Sequence, residues 1–270
     1  MLASASRNLL PSMTIDEQIS ATKLHSITQN ITEPITIRPI RSPHHTASAT
    51  TILGGGPHLN PGEISLAHTG VLFMDEFPEY RRDVLEALRE PLENQTITVS
   101  YGGKTAYYPA DFMLIAAMNP CHCGYLGSNI KPCTCSTSQL IAYRRKLSGP
   151  LLDRIDMYVE MKTEASSVLF KNTTPSTITT QSANVLISTA QKHMNTCFNG
   201  RLSSAQITKY AELNSDARRI LDEASARLQL SARSYFKTLK VAKTIANLAD
   251  SDLILPIHIT EALRYRFALP

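Results

Sequence analysis

The chain has 270 residues, 43% of them hydrophobic, enough to bury one sizeable core or one core with a smaller satellite. Lys and Arg outnumber Asp and Glu by only 27 to 23, so the net charge of +4 permits a nucleic-acid partner without requiring one. No run approaches the roughly 18 apolar residues of a membrane helix, and the opening MLASASRNLLPSM has too short an apolar stretch for a signal peptide, so the expected compartment is the cytoplasm with no membrane partner.

Near the N-terminus, TIDE from Thr14 to Glu17 reads as a capping box that opens a helix, each residue satisfying a backbone N–H of the other. From Ile52 to about Met161, short β-rich apolar runs alternate with helical patterns, the rhythm of a parallel α/β sheet. Within it, VLFMDE from Val71 to Glu76 is an apolar run that ends in two carboxylates and is followed by Phe77 and Pro78. A buried strand that delivers adjacent acids to its C-terminal end suits Asp75 to a Mg²⁺ shell and Glu76 to polarising an attacking water. The hexapeptide equally fits a strand that exits into an acidic turn.

The segment 95–109, QTITVSYGGKTAYYP, alternates apolar and polar residues around Gly102 and Gly103, a hairpin signal. A second buried strand is expected in DFMLIAAMNP, ending at Asn119, a neutral amide able to orient water or a terminal phosphate. Asn before Pro is also ordinary turn chemistry. Next, CHCGYLGSNIKPCTC sets Cys121, Cys123, Cys133 and Cys135 in two close pairs about a turn, a set able to reach a tetrahedral Zn²⁺. Cys-x-Cys is tighter than the usual Cys-x-x-Cys, and free or redox thiols are the alternative. His122 is expected to be an exposed loop residue, His44, His45 and His58 to serve turns or packing, and Cys197 to be structural. In GPLLDRID, Arg154 precedes a strand-like IDMYV. An arginine stabilises charge on a transferred phosphoryl group; here it also fits a surface pair with Asp153 or Asp156. Residues 163–182 are rich in Ser and Thr and read as a linker. Residues 183–270 are helical, clearest from Ser231 to Leu248, where Tyr235, Leu239, Ala242, Ile245 and Ala246 share a face.

The order of acid pair, strand-end Asn, LLDR and a helical domain with Ser231-Ala-Arg233 resembles the AAA+ ATPases. The phrases RPIRSPHHTAS from Arg38, GGGPHLNPGEISLAHTG from Gly54, FMDEFPEY from Phe73 and LEALREPLE from Leu85 resemble their magnesium-chelatase-like, ComM-type group, from Met1 almost to the C-terminus. The resemblance implies an AAA+ α/β core over 1–162 with the hairpin 95–109 and a cysteine loop 119–136, the linker 163–182, and a helical lid over 183–270. It implies ATP and Mg²⁺ as cofactors, a hexameric ring, and DNA as a partner. Asp75 and Glu76 resemble the Walker B pair, Asp75 reaching the metal through water, and Asn119 resembles sensor 1. Arg154 resembles an arginine finger acting on the next subunit's nucleotide, and Arg233 a sensor-2 arginine reaching the γ-phosphate. The hairpin resembles the pre-sensor-1 hairpin of this branch, so Lys104 at its tip could grip a DNA backbone; a plain exposed hairpin with a solubilising Lys fits equally.

One expected motif is not in the 270 residues: GxxxxGKS or GxxxxGKT, whose backbone N–H groups and Lys cradle phosphates. The only Gly-Lys-Thr, at Gly103-Lys104-Thr105, has Thr98 at the first glycine position and follows the acidic strand, and the triple glycine Gly54-Gly55-Gly56 has no Lys after it. The resemblance aligns Met1-Leu-Ala-Ser with the residues after the loop's Lys-Thr, so the chain is expected to start at the first turn of the helix that the loop opens, without the protease-like domain usual in the group. Each phosphate hydrogen bond so lost contributes on the order of 1.5–3 kcal/mol. The 270-residue chain alone is therefore expected to bind ATP poorly and to hydrolyse it negligibly. Three functions stand against one another: an ATP-driven DNA motor for recombination and branch migration, a chelatase-type remodelling subunit, and a non-catalytic ring component that could still lend Arg154 to a complete neighbour.

Overall fold

A computed structural model describes residues 7–128, 130–161, 179–194 and 197–266, in two compact units, Met1–Arg154 and Ile155–Pro270. The first unit opens with α1 (Ile15–Ser26), capped as its sequence predicts: the Thr14 hydroxyl accepts the Glu17 N–H, and the Glu17 carboxylate accepts the Thr14 N–H at 2.9 Å. That carboxylate also takes both terminal nitrogens of Arg38, whose guanidinium donates in addition to the carbonyls of Pro11, Ser12 and Thr69. Arg38 thereby fastens the helix to the segment that leads into β1 (Ile40–Arg41).

The chain then forms α2 (Ala49–Leu53), a short ladder of β2 (Gly54–Gly55) on β3 (Asn60–Pro61), and α3 (Glu63–Leu66) before β4 (Val71–Met74). Helices α4 (Arg82–Ala87) and α5 (Arg89–Asn94) lead to a hairpin of β5 (Thr96–Tyr101) and β6 (Lys104–Pro109), followed by β7 (Met113–Ala116), α6 (Thr137–Arg144) and α7 (Gly149–Leu152). Strands β1, β4 and β7 make a parallel sheet in that order, with Val71 opposite Ile40 on one side and Met113 on the other. Val71, Leu72 and Met74 are wholly buried, the continuous apolar run that a central parallel strand needs. Gly70 lets β4 approach the chain before β1, because a Cβ there would lie 1.9 Å from the Pro39 carbonyl oxygen.

The expectation of a second buried strand is corrected at β7. Met113 is 41% exposed, because β7 is the outer strand of the sheet among the described residues, with β4 on one side only. The hairpin follows its pattern. Its turn sets Gly102 and Gly103 at φ +56° and +79°, where a side chain would be strained. Pairs run from Thr96 with Pro109 to Tyr101 with Lys104, burying Ile97 and Val99.

In the second unit, IDMYV is not a strand: the Tyr158 N–H instead donates to the carbonyl of Tyr265, at the end of a helix. Most of the expected linker, through residue 178, lies outside the described residues. From a Thr179 cap the chain forms α8 (Thr180–Lys192), then α9 (Ser204–Tyr210), α10 (Ser215–Leu228), α11 (Ala232–Leu248) and α12 (Pro256–Arg264). Leu239, Ala242 and Ala246 of α11 meet Leu221, Ile207, Ile254 and Ile259 in one core, with Tyr235, Ile245 and Cys197 packed at its margin.

Candidate functional site

Two parallel strands bring the predicted acids and amide to one edge. Asp75 and Glu76 leave the end of β4, and Asn119 lies just past β7. The ends are locked together beyond the ladder, since Ala117 donates its N–H to the Met74 carbonyl and accepts the Phe77 N–H, both at 2.9 Å. The C-terminal edge of a parallel sheet is where α/β folds bind ligands. Glu76 adopts the left-handed region at φ 50°, unusual for a residue with a side chain, and Asp75 braces that turn by accepting the Glu76 N–H at 2.9 Å. Both carboxylates are exposed.

The sequence reading missed the residues that hold this edge. His45 Nδ1 lies 2.9 Å from the Glu76 carboxylate, with its ring stacked on His44 and edge-on to Tyr80. Tyr80 donates its hydroxyl to the Pro43 carbonyl; burial, and then the charges of Asp75 and Glu76, push its phenol up to about 12, so it stays a donor. A cavity of about 160 Å³ opens beside Glu76, lined also by Glu79, Asn119, Cys121, His122 and Tyr143. Tyr143 donates to the carbonyl of Asn119 at 3.2 Å, and its phenol is pushed up to about 12 by burial and then by Glu79. Lys146 neutralises Glu79 at 2.7 Å. His122 is exposed, as expected of a loop residue, and forms one wall. RPIRSPHH and FMDEFPEY contain His45, Glu79 and Tyr80, but only the pairing of β1 with β4 brings His45 to Glu76.

The four loop cysteines converge. Their sulfurs all lie within 4.8 Å of one another, and none is in a disulfide. N–H groups of Tyr125 and Thr134 pull the Cys123 thiol down to about 5. At Cys133 the Cys135 N–H acts downward, but withdrawal from water and the neighbouring thiols outweigh it and push that thiol up to about 12. Such a donor set can hold a soft tetrahedral cation.

The basic candidates lie elsewhere. Arg154 is neither projecting nor paired with Asp153 or Asp156: it ion-pairs with Glu93 and donates to the carbonyls of Arg89 and Pro150. Asp156 pairs instead with Lys237 at 2.7 Å. Lys104 is exposed at the hairpin tip opposite Tyr101. Arg233 belongs to the second unit, exposed in the first turn of α11 behind its Ser231 cap.

The sequence profile described as magnesium chelatase, subunit ChlI, matches residues 1–169, and that described as magnesium chelatase, subunit ChlI C-terminal, matches residues 177–266. The chain belongs to the magnesium chelatase ChlI family. It is 39% identical over 270 residues to the protein YifB of Escherichia coli and 39% over 271 residues to the competence protein ComM of Haemophilus influenzae. Each match covers 98% of this chain and 53% of the relative, so the chain spans about half the length of the curated relatives it matches. A weaker likeness, 23% over 220 residues, to the maternal DNA replication licensing factor mcm6 of Xenopus tropicalis covers 76% of this chain and 25% of that protein.

As a ChlI-family member of the ComM and YifB kind, the chain has an α/β AAA+-like core and a helical C-terminal region. Among its described residues, no helix is long and apolar enough to cross a membrane.

Proposed function

We propose that this ChlI-family chain is part of a ComM-type AAA+ motor that uses ATP and Mg²⁺ to move DNA strands as a ring, in the cytoplasm. The observation that supports it best is the side-by-side delivery of the Asp75–Glu76 pair and Asn119 to one sheet edge. The donor set fits the metal: exposed carboxylates at a strand end match a hard, oxygen-seeking cation that keeps much of its water. Asp75 would hold Mg²⁺ through water, and that ion, when bound, offsets charge on the phosphates. Glu76, steadied by His45, polarises the attacking water, while Asn119 orients the water or the terminal phosphate. Arg154 and Arg233 act on the nucleotide from a neighbouring subunit and from the lid, and Lys104 holds the DNA backbone. A structural Zn²⁺ in the thiol loop completes the cofactors.

The phosphate cradle does not fit these residues, since GxxxxGKS or GxxxxGKT is not among them. This supports a second reading for the 270-residue chain taken alone, that of a ring component without turnover. The test is Mg²⁺-dependent ATP hydrolysis in two samples. The protein isolated from its own source is expected to turn over ATP and to lose at least about 100-fold with Glu76→Gln; undiminished turnover in that variant overturns the site. The 270-residue chain alone is expected to show none, and robust turnover there overturns the role given to the missing cradle.

A further inference from the structure

The connection from β7 to α6 spans residues 117–136 and, where described, has neither helix nor strand. Loops beyond about 12–15 residues without structure of their own are uncommon in compact domains and usually functional. We infer that Cys121, Cys123, Cys133 and Cys135 bind one Zn²⁺ in a tetrahedral site, and that the ion staples this loop so that Asn119 stays beside the acid pair.

The spacing of the sulfurs suits a tetrahedral metal site. Four sulfurs about 2.3 Å from a tetrahedral zinc stand about 3.7 Å apart. Cys121 and Cys123 are 3.4 Å apart, Cys121 and Cys133 3.7 Å, and Cys123 and Cys133 3.5 Å. These separations far exceed the about 2.05 Å of a disulfide. Gly124 and Gly127, at φ +81° and +77°, make the tight turn that follows the first pair, and the Gly124 N–H closes it on the Cys121 carbonyl at 3.0 Å. A backbone N–H points at sulfur as well, Leu126 donating to Cys121 at 3.3 Å. The cysteines bind as thiolates, those still protonated releasing the proton to solvent as the sulfur–zinc bond forms, leaving two net negative charges that N–H donation to sulfur helps offset. Thiolate sulfur in tetrahedral array favours zinc among available divalent ions.

The staple follows from the loop's two ends. Only Pro120 separates Cys121 from Asn119, and Cys135 directly precedes Ser136, the cap of α6. Tyr143 on that helix donates back to the Asn119 carbonyl. An ion joining the two cysteine pairs therefore closes a ring in which Asn119 is held from one side by metal and from the other by a buried phenol. The significance of Asn119 rests on the sensor role proposed for it; the metal site does not.

The 270-residue chain, expressed with added zinc and purified without chelator, is expected to carry about one equivalent of zinc by elemental analysis. Exchanged into Co²⁺, it should show the intense visible bands of a tetrahedral sulfur site. The double variant Cys133→Ser, Cys135→Ser should lose the metal, whereas Cys197→Ser should keep it. Substoichiometric metal, preferential iron, or full zinc in the double variant overturns the site. Hydrogen exchange in loaded and chelator-stripped protein reads the staple. Amides from Ala117 to Leu126 and in the first turn of α6 should slow at least about tenfold with zinc, while the hairpin and second unit stay unchanged. Bound zinc without that protection overturns the staple and leaves the site. No step involves ATP, so failure of the motor reading would show only in the turnover assay.

Discussion

Arg154 satisfies three acceptors of its own chain at once, Glu93 and the carbonyls of Arg89 and Pro150, with its side chain 11% exposed. A residue so engaged is structural whatever else it does. Arg154→Ala is expected to destabilise the first unit by about 1–3 kcal/mol, because it removes one ion pair and two hydrogen bonds made by a largely buried guanidinium. Arg154→Lys should recover only part of this, since an ammonium cannot reproduce the planar fork. Denaturant unfolding of both variants measures it, and an unchanged midpoint for Arg154→Ala would refute the assignment. Activity lost in Arg154→Ala must therefore be read against stability before a finger role is credited. At His45 the reasoning runs the other way: its contact with Glu76 is partly exposed, so His45→Ala should leave unfolding nearly unchanged and lower turnover of the source protein by about tenfold.

The hairpin shows how an element can be legible while its purpose is not. Alternation and the Gly-Gly turn specify register, and the structure follows them; nothing in that logic decides whether Lys104 is a phosphate contact or a solubilising charge. The two differ in salt dependence. If Lys104 contacts one phosphate, Lys104→Ala should weaken single-stranded DNA binding regardless of sequence and flatten the log–log salt slope by about 0.7 per site. Equal slopes for variant and parent, by fluorescence anisotropy, would leave the lysine a surface charge. Gly103→Val should cost about 1 kcal/mol or more by forcing a branched side chain to φ +79°, and should loosen the hairpin alone. At β7, apolar composition gave the strand correctly and its burial wrongly, because composition does not report how many neighbours a strand has.

At the scale of the molecule, the helical unit carries a pH response of its own. In the helical unit, His193 is hydrogen-bonded by Asp250 at 2.7 Å and Asp252 at 2.9 Å, which raise its pKa above the ordinary 6.5. A raised folded value means protonation stabilises the fold. That contribution is complete below pH 6.5 and fades as pH rises through the higher folded value. Thermal unfolding of the helical unit should therefore shift downward across that window, and His193→Gln should remove the shift; an unaltered pH dependence in the variant refutes it. The sequence by itself determined the α/β class, the capped first helix, the hairpin about its Gly-Gly turn, and the family, because periodicity, caps and turns are local and motif order survives along the chain. It also marked Asp75, Glu76, Asn119 and the four cysteines as residues of interest. Only the tertiary structure decided that Glu76 meets His45, that Arg154 is tied to Glu93, that Tyr143 reaches Asn119, and that the four sulfurs lie within 4.8 Å of one another. Each of these joins residues distant in sequence or separated by a long loop, and such contacts depend on strand order and loop closure, which no local pattern encodes.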